Sequence, residues 1–173
     1  PPKEADYFFQ YLARQDIDLD FFAEIRGVLE TQRLQLFKKG GLNTVQVGIE
    51  ALSSTLLAKM EKGVTVIDNI AVMKLCSNWS IHLEGNIITD FPTTTEEEVA
   101  DTLHNLDFVL PFSPLQTAAF FLGYGSPVHA RKEDFSIRTL MPHKKNRLLF
   151  PDKYIDSLTM LVSSYRGDRM RQK

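Results

Sequence analysis

Hydrophobic and polar positions change period along this chain in a repeating way. Short runs rich in β-branched and aromatic residues predict strands at "FFAEI" (Phe21 to Ile25), "TVQVGI", "IHLEGNIIT" and "LQTAAFFL". Between them the apolar positions fall at helical spacing. "TQRLQLFKK" predicts a helix closed by Lys38, Lys39 and the stop Gly40-Gly41, and "SSTLLAKMEKG" a short one from an N-cap serine to Gly63. "TVIDNIAVMKLCSN" predicts a helix from Thr65 with Ile67, Ile70, Ala71 and Leu75 on one face. After "FPTTTEEEV" a further helix takes Thr95 as its cap and Glu96 to Glu98 as a solvated acidic first turn. Its core stripe is Val99, Leu103, Leu106 and Leu110.

The two ends of the chain read differently. "PPKEADYFFQYLARQ" predicts an amphipathic helix with Tyr7, Phe8, Tyr11 and Leu12 on its stripe. Gly123 to Pro151 predicts a long loop rich in Gly, Pro and basic residues. A last helix then turns Ile155, Leu158, Leu161, Val162 and Tyr165 inward and ends in the polar tail "RGDRMRQK". The expected organisation is a barrel portion over 1–151 and a helix with its tail over 152–173.

Strand and helix alternating in this way make the fold class α/β, with parallel strands joined by right-handed crossovers. An open doubly wound sheet and part of a (β/α) barrel both fit, and in both the ligands sit at the carboxyl ends of the strands. Composition narrows the function classes. A chain of 173 residues with 43% hydrophobic and 24% charged residues is an ordinary globular domain. A net charge of −2 argues against a nucleic-acid surface. No apolar run approaches the roughly 20 residues of a membrane span, and no signal-peptide pattern opens the chain, so a cytoplasmic protein is expected. Cys76 is the single cysteine, which rules out a disulfide framework or a cysteine-only metal site within these residues.

Polar residues gather where a parallel sheet places its site. Arg26 follows the first strand, as a clamp for a carboxylate or phosphate or as an ion-pair partner of Glu24 or Glu30. Glu50 ends the second, as an acceptor for a ribose or amino group or as a carboxylate at the next helix's N-terminus. Lys62 stands before Gly63 in that helix's expected last turn, where a cation is favoured on dipole grounds alone. Asn86 alternates with Ile87 and needs a partner inside a barrel, a ligand hydroxyl or a neighbouring polar side chain. The four histidines show no metal-ligand spacing, "GYGSP" lacks a phosphate-loop lysine, Ser53 and Ser54 have no evident base, and "HKKNR" is a short basic loop.

In order along the chain, "DFFAEIR", "VQVGIEALSSTLLAKMEKG", "GNIITDFPTTTEEEV" and "FFLGYGSPVH" resemble the second half of the radical S-adenosylmethionine (radical SAM) enzymes. The closest likeness is to members with a cobalamin-type domain, including maturases of ribosomally made peptides. The resemblance implies part of a (β/α) barrel, with S-adenosylmethionine across the strand ends beside a [4Fe–4S] cluster. It implies that Glu50 stands near the amino or ribose end of that nucleotide and Lys62 near its methionine carboxylate, two hands on opposite ends. Asn86 would reach the ribose with Ile88 beside the adenine, and Arg26 would face the same cavity. Two features depart from the family. Asp90 and Thr93 stand where it usually has glycine, which bears on the turn after that strand, and its C-x3-C-x2-C loop is absent here.

The expectation that follows is a piece of a longer radical SAM protein, lacking the cluster cysteines and inactive alone. The parent would cleave S-adenosylmethionine reductively, with cobalamin and a peptide substrate as further possibilities of the resemblance. An open sheet edge would make the isolated chain self-associate as a dimer. The alternative is a non-catalytic α/β scaffold or binding module.

Overall fold

The structure is a computed structural model and describes residues 3–15, 17–26, 30–155 and 162–167. The chain divides into two compact units, one of Pro1–Ile87 with Glu96–Ala118 and one of Ile88–Thr95 with Ala119–Lys173.

The first unit carries the alternation that the sequence predicts: α1 (Lys3–Leu12), β1 (Phe21–Ile25), α2 (Thr31–Lys39), β2 (Leu42–Glu50), α3 (Ser54–Lys59), α4 (Val66–Asn78), β3 (His82–Thr89, in this unit as far as Ile87), α5 (Glu96–Leu106) and β4 (Gln116–Ala119, in this unit as far as Ala118). The sheet order is β1-β2-β3-β4, and β2 pairs in parallel with both β1 and β3. Each strand lies beside its predecessor without a reversal of order. That is the winding of a barrel wall, whereas a doubly wound sheet reverses at a switch point. Alternation along β2 buries Val45, Val47 and Ile49 and leaves Gln46 and Gly48 exposed. The buried side shares the core with Leu34 and Phe37 of α2 and Val72, Met73 and Cys76 of α4. Phe22, Glu24, Gln46 and Glu84 stand exposed on the alternate positions.

Three stripes differ from the expected ones, each for a physical reason. In α1, Phe9 is the buried residue, packed 4.5 Å from the Phe37 ring, while Tyr7, Phe8 and Tyr11 are exposed. Asp6 fixes that orientation by accepting two 2.8 Å bonds from the Arg33 guanidinium, and Gly40 permits it, since a Cβ there would meet Phe9 at 2.9 Å. In α4, a reciprocal capping box of Thr65 and Asp68 starts the helix, and Val66, Asn69, Val72, Met73 and Cys76 are buried while Ile67 is 73% exposed. In α5, Leu103 is exposed, as is Leu110 beyond the helix end, and Glu98 is buried instead because the Lys59 ammonium meets it at 2.9 Å.

The second unit holds β5 (Leu122–Gly123), α6 (Pro127–Ala130), β6 (Ile137–Pro142), α7 (Asn146–Leu149), α8 (Asp152–Ile155) and β7 (Val162–Gly167). Its antiparallel sheet has the order β5-β7-β6. Gly123 to Pro151 is therefore a folded segment with a strand in it, and Val162 to Gly167 is a strand and not the predicted helix. Val162 and Tyr165 belong to a run whose partners come from distant sequence, and such pairing overrides local period. Leu158, Leu161 and the tail from Asp168 lie outside the described residues. The core of this unit joins Leu122, Val128, Ile137 and Ile155 to an aromatic cluster, in which the Phe91 ring stands 5.1 Å from Phe120 and 5.7 Å from Phe135. Among the described residues no helix is long and apolar enough to cross a membrane, and no group of His, Cys, Asp and Glu has metal-binding geometry.

Candidate functional site

The end of β2 is where the backbone departs from regular strand. The register with β3 runs from Thr44 opposite His82 to Val47 opposite Gly85, then shifts so that Glu50 meets Ile87. Glu50 itself has φ +61°, a left-handed conformation uncommon for a side chain of its length. The Ala51 N–H donates to the Ile49 carbonyl at 2.7 Å, closing a three-residue turn centred on Glu50. Two outer helices hold this turn. The Asn69 amide of α4 donates to the carbonyls of Ile49 (2.9 Å) and Ala51 (3.1 Å), and the Asn105 amide of α5 donates to Leu52 (2.8 Å).

Lys62 arrives at the same place by a different device. α3 ends at Lys59, and Glu61, not Gly63, takes the left-handed stop position with φ +55°. Glu61 N–H donates to Ala58 and Lys62 N–H to Leu57, the paired bonds of a Schellman ending. Lys62 therefore lies beyond the helix, and its Nζ donates to Glu50 Oε1 at 2.6 Å. Glu50 likewise does not cap α3, whose N-cap is Ser53. Each helix-end role expected of these residues is replaced by their ion pair, with side chains 20% and 35% exposed. The pair lies over Gly48, where a Cβ would come within 3.1 Å of the carboxylate oxygen and 3.5 Å of the ammonium.

The other predicted residues lie on or beside the neighbouring strands β1 and β3. Ile25 pairs with Val47, so Arg26 leaves β1 level with Gly48. Arg26 is exposed, and among the described residues it forms no ion pair, with Glu24 and Glu30 included. Asn86 lines an open, mainly polar pocket of about 270 Å³ with Gln46, His82, Glu84 and Gln116. Ile88 is half-buried on the part of β3 that belongs to the second unit. There the two positions at which glycine was expected, Asp90 and Thr93, have φ +58° and +63°. The glycine-type path is kept although neither residue is glycine.

Cys76 is 1% exposed inside α4, and burial pushes its thiol up to about 11. Asn69 and Asn105 were not singled out from the sequence. The available signal was an asparagine on the buried face of a helix, three residues after Val66 and three before Val72, where its low helix propensity has to be offset by a specific bond.

No protein-family model matches the chain. It is 30% identical over 93 residues to an uncharacterized methyltransferase, PH0819, of Pyrococcus horikoshii, an alignment covering 53% of this chain and 20% of that protein. Among solved structures, the cobalamin-dependent S-adenosylmethionine radical enzyme OxsB superposes with a TM-score of 0.67 at 14% identity, over 95% of this chain and 29% of OxsB. The radical S-adenosylmethionine methyltransferase TsrM of Kitasatospora setae, with cobalamin and a [4Fe–4S] cluster bound, gives 0.54 at 17% identity, over 72% of this chain and 24% of its own. The chain thus spans about a fifth to under a third of these proteins. Its fold is that of part of the radical SAM (β/α) barrel, as the motifs implied.

Proposed function

We propose that this chain forms one wall of an S-adenosylmethionine site in a radical SAM iron–sulfur protein. The observation that carries the reading is the Glu50–Lys62 pair, seated at the carboxyl end of β2 on a left-handed turn. An ammonium and a carboxylate side by side match the zwitterion of an aminoacyl group. A ligand ammonium or ribose hydroxyl takes the place of Lys62 on Glu50, and a ligand carboxylate takes the place of Glu50 on Lys62. The chemistry of the donors fits, and Gly48 leaves the room. Arg26, just after β1, and Asn86, on β3, add a cation and an amide for the rest of the molecule.

A [4Fe–4S] cluster, which when bound supplies the electron for reductive cleavage of S-adenosylmethionine, does not fit the residues present. One cysteine cannot replace three, and Cys76 is buried in α4 with its thiol held protonated. This chain supplies nucleotide contacts and not the redox centre. The likeness to OxsB and TsrM supports cobalamin as a further cofactor of the whole protein, and a TsrM structure with tryptophan and an S-adenosylmethionine analogue bound supports an amino-acid substrate; a peptide substrate rests on the sequence resemblance alone. β1 is an edge strand, and self-association as a dimer through it is expected. A monomer in light scattering at high concentration contradicts that part.

The test is titration of S-adenosylhomocysteine into isotope-labelled protein, followed by amide shifts. Shifts at Gly48, Glu50, Lys62 and Asn86 are expected, and Glu50→Gln should weaken them. A second reading, a scaffold without chemistry, is favoured by the fact that Glu50 and Lys62 already satisfy each other. If millimolar analogue moves none of these amides, the nucleotide reading is overturned and the scaffold remains.

A further inference from the structure

Asn69 is a buried polar residue that the nucleotide reading does not use. It is 3% exposed, and it sits in α4 among Val66, Val72, Met73 and Cys76. Its side-chain nitrogen donates to both Ile49 and Ala51, the carbonyls on either side of Glu50. Both amide protons thus go to the two ends of the one turn that holds Glu50 at φ +61°. A left-handed residue of this kind is strained and persists only where its surroundings over-determine it. Here the Asn69 amide bridges both carbonyls of the turn, beside the Ala51 N–H bond to Ile49, while the Glu50 carboxylate meets Lys62 at 2.6 Å.

We propose that Asn69 is a positioning residue: it fixes the backbone of Glu50 and thereby aims the carboxylate at Lys62 and at the ligand, which it does not touch itself. Asn105, which donates to Leu52, continues the grip by one more carbonyl. The inference rests on the nucleotide reading for what the aimed carboxylate binds, and on geometry alone for the aiming.

A double-mutant cycle separates the two. Asn69→Ala should lower the Tm by about 4–8 °C, the loss expected in a chain of this size when the Ala51 carbonyl loses its donor and the Ile49 carbonyl keeps only the Ala51 N–H. Glu50→Gly accepts φ > 0 without strain, so in that background the same Asn69→Ala should lower the Tm by about half as much. Equal losses in both backgrounds overturn the inference, whatever the chain binds. Should Asn69→Ala not fold, Asn69→Ser enters the same cycle. Hydrogen exchange at the Ala51 amide, bonded to Ile49 at 2.7 Å, should then rise more than at other β2 amides, and a uniform rise overturns the inference.

The ligand arm uses S-adenosylhomocysteine. Asn69→Ala should weaken it by about tenfold, the scale of one misdirected charge-assisted bond. Val72→Ala, buried three residues further along the same helix, should cost stability without that loss of affinity. If Val72→Ala weakens the analogue as much, Asn69 is only a packing residue. If the parent chain binds no analogue, the nucleotide reading fails while the stability cycle still decides the role of Asn69.

Discussion

Two strand ends in this molecule store the same kind of backbone strain and hold it in different ways. After β2, Glu50 is left-handed and is gripped from outside by Asn69. After β3, Asp90 and Thr93 are left-handed, and the turn is held from within. Thr94 donates through both its N–H and its hydroxyl to the Phe91 carbonyl, Tyr165 reaches the Asp90 carbonyl at 3.4 Å, and the Phe91 ring is buried against Phe120 and Phe135. At the first turn the strained residue has a charged partner at 2.6 Å, so its side chain is the reason for its presence. At the second the path of the backbone is what the packing fixes, and a glycine would follow that path at less cost. Strain with a paired functional group marks a candidate site; strain that only shapes a turn does not.

The largest separation between the two turns should come from removing charge at the first. Glu50→Gln keeps the size and an acceptor but cannot pair with an ammonium, and it should weaken S-adenosylhomocysteine by about 10- to 100-fold, as charge-assisted bonds exceed neutral ones. Stability should move by less than about 1 kcal/mol, because the pair is partly exposed. Isothermal titration and urea denaturation measure the two quantities. A variant with unchanged affinity would make the β2 turn as purely structural as the β3 turn.

Glycine substitution should act in the opposite sense at the second turn. Asp90 is exposed at φ +58°, so Asp90→Gly should stabilise by about 0.5 kcal/mol after the added chain entropy is subtracted, a Tm rise of about 1–2 °C. The same change at Glu50 relieves strain but forfeits the ion pair, and its net effect on Tm should be close to zero. A loss of stability in Asp90→Gly would show that the aspartate side chain, and not the backbone path, holds the β3 turn.

How far this site could be read in the sequence follows from the range of the forces that make it. β1, α2 and the start of α4 were legible because their signals are local: a strand run, a basic last turn before Gly40, and a Thr65 cap. The strand ends are legible because parallel winding collects polar residues there, which points to Arg26, Glu50 and Asn86, while Lys62 stands out only at the expected end of the following helix and by the resemblance. Their relation is not legible. That Glu50 and Lys62 meet depends on a register shift in β2 and on an early helix stop at Glu61, neither of which leaves a sequence signal as strong as glycine. β6 and β7 were misread for a similar reason, since antiparallel partners more than twenty residues apart set their structure. Glu98 was read as solvated because the first turn of a helix favours acids, and Lys59, 39 residues away in sequence, could not be foreseen as its buried partner.

The smallest effect expected, and the one that sharpens the comparison most finely, concerns Gly48. Its φ lies outside the left-handed region, so an alanine there is free of backbone strain and the change tests space alone. A methyl group would stand 3.1 Å from Glu50 Oε1 and 3.5 Å from Lys62 Nζ, close enough that the carboxylate must shift by a few tenths of an ångström. Both atoms end flexible side chains, and stability should therefore change by less than about 0.5 kcal/mol. Ligand affinity should be more sensitive, because a carboxylate that moves off the line to its partner loses bond angle as well as distance. A two- to fivefold weakening of S-adenosylhomocysteine, about 0.4–1 kcal/mol, is expected for Gly48→Ala. If affinity and stability fall together by the same amount, Gly48 serves the packing of β2; if affinity falls alone, the glycine is there to leave the Glu50–Lys62 pair its room.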